Sequence, residues 1–129
     1  MTRRASERGQ ATVEVALALP VVVLALLLVI QVALVARAQV LVTNAAREGA
    51  RAAAVDPDPG AARAAALAAP GLDGSRVTVE VSPRGEIGSS ITVTVSYRVP
   101  TDVALVGPLV GEPTLEASVT MRVEGEVSR

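Results

Sequence analysis

The chain has 129 residues and a net charge of -1, and it contains no Cys, no His, no Trp, no Phe and one Tyr, Tyr97, while all 12 of its basic residues are Arg. These absences exclude a disulfide framework, a thiolate nucleophile, zinc sites of the usual ligand types, a Ser-His-Asp triad, a Walker phosphate loop and a lysine Schiff base. They also leave no aromatic, basic platform for bases to stack on, so neither an enzyme nor a nucleic-acid partner is expected, and no cofactor or metal is called for.

Half of the residues are hydrophobic and the mean hydropathy is +0.47, high for a small water-soluble domain. That hydrophobicity is concentrated near the N-terminus. Arg3, Arg4 and Arg8 form a short basic leader, and between Arg8 and Arg37 the only charge is Glu14. Val15 to Ala36 reads VALALPVVVLALLLVIQVALVA, interrupted only by Pro20 and Gln31. At about 1.5 Å per residue such a helix crosses the ~30 Å hydrocarbon core of a bilayer. The remainder of the chain is too small to wrap an apolar rod of that length, so a membrane lipid bilayer is its expected surroundings. A cleaved secretory signal is the alternative, with Ala36-Arg37-Ala38 as the cleavage spacing, but the apolar run exceeds an ordinary signal core. The Arg count on the two sides of the span ties, and only its density beside the membrane favours a cytoplasmic N-terminus and an extracytoplasmic C-terminal domain.

From Arg37 to Val55 the chain is Ala-rich, so one helix is expected from about Ala11 to Ala54. Leu41, Ala45, Gly49 and Ala52 form a stripe of mostly small side chains, suited to close approach of the protein's own sheet or of a neighbouring subunit. Arg47, Glu48 and Arg51 fall on the solvated side, with Glu48 and Arg51 at ion-pair spacing. Asp56-Pro57-Asp58-Pro59-Gly60 ends this helix, Asp58 and Pro59 begin a short second one, and Pro70-Gly71 stops it. Arg76 to Ser82 and Ser90 to Val99 alternate with Val77, Val79, Val81 and Ile91, Val93, Val95, Tyr97, Val99 inward, predicting an antiparallel hairpin around a loop over residues 83–89. Pro100 to Pro113 is a long connection with an apolar stretch, Val103 to Val110, which is either packed on the sheet or an exposed contact patch. Thr114 to Glu124 alternates again with Leu115, Ala117, Val119, Met121 and Val123 inward. The expected fold is α+β: a long N-terminal transmembrane helix, a short helix and a small three-stranded antiparallel sheet.

Glu14 is a carboxylate at the border of an apolar helix, where it needs water or a partner. It sits either near the headgroups in the first helical turn, favoured by the helix dipole, or in a functional pairing. Pro20 removes the helix hydrogen bond to the Ala16 carbonyl, and Gln31 either bonds between helices or points to the border.

Gly9 followed by Gln10-Ala11-Thr12-Val13-Glu14 resembles the class III signal of type IV pilins and pseudopilins, which a membrane prepilin peptidase cuts after the glycine. Gly9 to Pro20, GQATVEVALALP, and Val42 to Ala53, VTNAAREGARAA, resemble the signature segments of the TadE-like family of tight-adherence (Flp-type) pilus systems, and Val119 to Glu124 is similar to the close of its strand region. Val15 stands where many pilins have an aromatic residue. The resemblance implies a pseudopilin or minor pilin with a pilin-like fold: a leader over 1–9, a transmembrane helix over 10–36 and an extracytoplasmic domain over 37–129. It implies that Gly9 and Gln10 flank the processed bond and that Glu14 pairs with the new N-terminal amine of an adjacent subunit. Its implied partners are the peptidase, other pilin-like subunits and a pilus assembly platform. Two other readings compete: an uncleaved membrane-anchored scaffold or binding domain, and a domain secreted after Ala38. For a hydrolytic site only carboxylates such as Glu80, Glu86, Asp102, Glu112, Glu116 and Glu124 are available, and no pair stands out.

Overall fold

The computed structural model describes residues 3–101 and 107–125. Helix α1 runs over Arg3–Val55, α2 over Pro59–Leu67, β1 over Val77–Val81, β2 over Ser90–Arg98, a single turn α3 over Gly107–Val110 and β3 over Thr114–Arg122. The α+β class, the short second helix and the three-stranded antiparallel sheet are as the sequence predicts. Helix α1 begins earlier than Ala11, because the preceding Arg, Ala, Ser and Glu residues carry little helix penalty and only Gly9 is unfavourable. By its internal contacts the chain forms two units, Met1–Ala33 with Thr101–Gly111, and Leu34–Pro100 with Glu112–Arg129.

In the second unit the sheet order is β1-β2-β3, with Val79 opposite Val95 and Val93 opposite Val119. Strict alternation gives the sheet two unlike faces. The outer one is polar and carries two cross-strand hydroxyl pairs, Thr92 with Thr120 and Thr94 with Ser118, each at 2.8 Å. On the inner face Ile91, Val93, Val95 and Tyr97 are buried against Val42, Ala45, Ala46, Ala50 and Ala53 of α1 and Ala62 and Ala66 of α2. The core is therefore made of small aliphatic groups, and its closeness of packing substitutes for bulk.

Gly49 marks the tightest approach. A β-carbon there would stand 3.1 Å from Val93 Cγ1, 3.2 Å from the Ala62 carbonyl oxygen and 3.2 Å from Ala66 Cβ. Of the expected stripe, Ala45 and Gly49 are buried and Leu41 and Ala52 half-buried, and Val42, Ala46, Ala50 and Ala53 beside them are buried as well. In an Ala-rich helix neighbouring stripes are equally small, and the sheet, with Val93 beneath Gly49, covers a band wider than one stripe. Among the described residues the ion pair within 4 Å is Arg76 to Glu112, at 3.3 Å, so the expected Glu48 and Arg51 pair does not form.

Helix α2 opens as its residues dictate: Asp58 accepts from the Gly60 N–H at 2.9 Å, with Pro59 at the first position. Asp73 caps the 3-10 turn Gly74–Arg76, and the hydrogen bonds from the Ser75 hydroxyl and N–H hold its carboxyl below the usual carboxylate range.

The C-terminus of α1 has no basic residue in its last turn, so its final carbonyls need donors from elsewhere. Arg84, from the β1–β2 loop, supplies them. Its guanidinium donates to the carbonyl oxygens of Ala53, of Asp56 at 3.0 Å, of Ala54 at 3.2 Å and of Glu124 at 3.3 Å, while the Glu124 N–H donates to the Ala54 carbonyl at 2.9 Å. A cation at the negative end of a helix is also favoured by the dipole.

Gly49→Val adds branched bulk where a single carbon already meets backbone oxygen and a second helix, and is expected to lower unfolding stability by about 1–3 kcal/mol. The measurement is the chemical denaturation midpoint of the full chain in detergent, followed by far-ultraviolet circular dichroism.

Candidate functional site

The site begins with the N-terminal part of α1, where Gly9, Gln10 and Glu14 are all exposed. The Gly9–Gln10 peptide lies within the helix, and the space around the Gly9 α-carbon is open: a β-carbon there would have no neighbour within 4 Å. Gln10 and Glu14 are one helical turn apart, about 6 Å along the axis, so they share a face. Glu14 has no ion-pair partner among the described residues.

Beyond Glu14 the helix is apolar on every side. Val15, Leu17, Leu19, Val21, Val22 and Leu26 are all exposed, and an 18-residue window reaches a mean hydropathy of 2.9 with none of it buried. This helix is long and apolar enough to cross a membrane. Its exposed residues are a solvent-exposure problem of unusual scale, because a soluble monomer seldom shows a contiguous apolar patch beyond a few hundred Å². Pro20 lies inside the helix without ending it.

Gln31 is the exception on this rod. It is only 3% exposed, and among the described residues neither its Nε2 nor its Oε1 has a hydrogen-bond partner. It therefore does not point to a water-facing border. A buried amide without partners costs roughly 1–3 kcal/mol. The signal for its burial was in its spacing: Gln31, Val35, Ala38 and Val42 recur at steps of four, three and four, which continue the buried line of α1.

The remaining candidate residues do not assemble into a reaction site. Glu80 stands on β1 opposite Thr94, and Glu116 on β3 opposite Ser96. Their backbone positions are two strands apart, roughly 10 Å or more at the usual strand spacing. Glu112 is engaged by Arg76. Glu86 and Glu124 are exposed residues on either side of the strands, and Asp102 lies outside the described residues. A cleft of about 220 Å³ lies between Ala53, Asp56, Val81, Ser82, Arg84 and Ile91. This is below the range usual for small-molecule sites. In it the Ser82 hydroxyl accepts from the Thr92 N–H at 2.9 Å, and Arg84 is committed to backbone carbonyls. Sequence reasoning missed Arg84, and the unmet carbonyls at the end of α1 were the signal that could have found it.

Residues 9–51 match a family described as TadE-like protein. The matched stretch takes in Gly9, Gln10, Glu14, the apolar span and most of the small-residue segment from Val42, so the resemblance seen in those motifs holds there. It ends before the strands, and Val119–Glu124 lies outside it. No curated protein and no solved structure matches the chain.

Because the Gln31 amide is buried without a partner, Gln31→Met is expected to keep the thermal unfolding midpoint of the full chain in detergent or raise it, by the equivalent of about 1–2 kcal/mol. A clear fall in the midpoint would show that the amide is held by a bond it does not make here.

Proposed function

We propose that this chain, TadE-like over residues 9–51, is a membrane-anchored pseudopilin or minor pilin that takes part in building a tight-adherence pilus. The observation that carries the reading is the conjunction of the matched segment with an exposed apolar helix that bears a single carboxylate at its entrance. A prepilin peptidase cuts between Gly9 and Gln10, removing the basic leader and leaving an ammonium group at Gln10. In a low-dielectric setting that ammonium and the Glu14 carboxylate of an adjacent subunit attract strongly, and each relieves the other of an unpaired buried charge. The pairing sets the axial stagger of neighbouring helices. The leader stays on the cytoplasmic side until it is removed, residues 10–36 span the membrane, and residues 37–129 form the extracytoplasmic domain. The protein performs no reaction of its own. Other pilin-like subunits and an assembly platform are its partners.

The exposure of Gly9 and the open space around it support access for a peptidase, to which an extended Gly9–Gln10 bond would be presented by local unwinding of the helix. Glycine, the weakest helix former apart from proline, lowers the cost of that unwinding.

Intact-mass measurement of the protein recovered from membranes is expected to show a chain that begins at Gln10. A full-length mass would favour an uncleaved anchor, and a chain beginning at Gln39 in the medium would favour secretion. Glu14→Gln keeps the shape and removes the charge. It is expected to reduce surface pili at least about tenfold, the equivalent of 1.4 kcal/mol or more per pairing, as counted by electron microscopy, with the variant still present in the membrane.

A further inference from the structure

The β2–β3 connection is built differently from an ordinary surface loop. The antiparallel pairing of β2 and β3 is prolonged by the Val99 N–H donating to the Pro113 carbonyl at 3.0 Å. Beyond it the Thr101 hydroxyl donates to the Gly111 carbonyl at 2.5 Å, and the Gly111 N–H donates to the Gly107 carbonyl at 3.0 Å. Gly107 is required for this closure: a β-carbon there would stand 2.7 Å from the Thr101 carbonyl oxygen. Gly111 takes φ +72, a conformation that glycine adopts without strain. The two ends of the connection are thus tied together, and the single turn α3 is held beside the tie.

What this frame displays is apolar. Pro108 and Leu109 are exposed, and Leu109, at 83%, is the most exposed large hydrophobic residue among those described. Val103 to Val110, of which residues 103–106 lie outside the described residues, contains no charge, and Asp102 and Glu112 bracket it in sequence. Pro108 and Leu109 stand side by side on this tied turn, an apolar pair that an apolar partner can cover. The grouping of the chain indicates which one. Thr101–Gly111 does not group with the strands it connects, but with Met1–Ala33, the apolar part of α1. The same unit holds Gln31, whose side chain is 3% exposed although its neighbours Ile30 and Val32 on the helix are open.

We propose that the turn Gly107–Val110 is a second membrane contact of this protein, in which Pro108 and Leu109 enter the boundary between the headgroups and acyl chains of the bilayer that α1 crosses. The inference rests on the reading of α1 as a membrane span. Its occupant is lipid because the loop is continuous, within one unit, with the surface that lipid covers. Proline and leucine fit that boundary: Leu109 supplies apolar area, and Pro108 has no backbone N–H to leave unsatisfied. Glu112, exposed and paired with Arg76 at 3.3 Å, sets a polar limit on the C-terminal side.

The chain has no cysteine, so single labels are unambiguous. Leu109→Cys and Leu26→Cys, each made in the full chain and coupled to an environment-sensitive nitrobenzoxadiazole dye, are reconstituted in phosphatidylcholine vesicles with and without brominated phosphatidylcholine. The brominated lipid carries bromine either near the headgroup or near the end of the acyl chain. Leu109 and Leu26 are both exposed, so neither label disturbs a packed core. We expect the dye at position 109 to lose about half or more of its emission with the shallow quencher and less with the deep one, and the dye at 26 to show the opposite order, as their depths require. Quenching at 26 with none at 109 overturns this inference and leaves the membrane span standing. Quenching at neither position overturns the span itself, and the inference with it. A blue-shifted emission at 109 that neither brominated lipid reduces assigns the loop to protein contact, a second copy included, and also overturns the proposal.

Discussion

The fold is governed by an imbalance of apolar surface. Helix α1 presents large aliphatic side chains on every side between Val13 and Leu34, and the sheet and α2 bury only its second half, from about Ala38 onward. At roughly 25 cal/mol per Å² of apolar area, leaving such a rod in water is unfavourable on a scale that exceeds the whole stability of a small domain. The sequence resolves the imbalance by changing side-chain size along one helix. Bulky Val, Leu and Ile face outward where lipid or neighbouring helices can cover them. Ala and Gly follow where the chain's own sheet must come close. One continuous helix thereby serves two different apolar environments.

That division explains why so small a core suffices. The inner face of the sheet is mostly valine, and a helix of ordinary bulk would keep its backbone well away from those short side chains. With Gly49 over Val93 and alanines on either side, backbone and side chain come to van der Waals distance. The dispersion attraction that a core with no aromatic ring beyond Tyr97 goes without is thereby partly recovered. The outer face needs no cover. Its threonine and serine hydroxyls satisfy one another across the strands, and the rest are open to water.

Most of this was legible in the residues. Period-two alternation fixed all three strands and their inward faces, and Asp58 with Pro59 fixed the start of α2, because these signals are local. On α1 the stripe was legible at Ala45 and Gly49, but the further burial of Val42, Ala46, Ala50 and Ala53 was not, since the helix is alanine on adjacent faces and only the sheet, far away in sequence, decides how much of it is covered. Arg84 was illegible for the same reason: its acceptors at Ala53, Ala54, Asp56 and Glu124 lie 28 to 40 residues away. At the candidate site, Gly9, Gln10 and Glu14 stand out only by spacing and type. Their placement in an exposed helix agrees with the sequence, and their roles belong to events between molecules.

The Arg84 clamp has a mechanical side. Traction along α1 is delivered to the final turn of that helix, beyond which the Asp56-Pro57-Asp58 strap leads on. There the guanidinium ties three carbonyls of the helix end to the carbonyl after β3, and the backbone bond between Glu124 and Ala54 lies alongside it. These bonds share the load in parallel with the packed interface, so the sheet resists being peeled from the end of α1 at the place where peeling would begin.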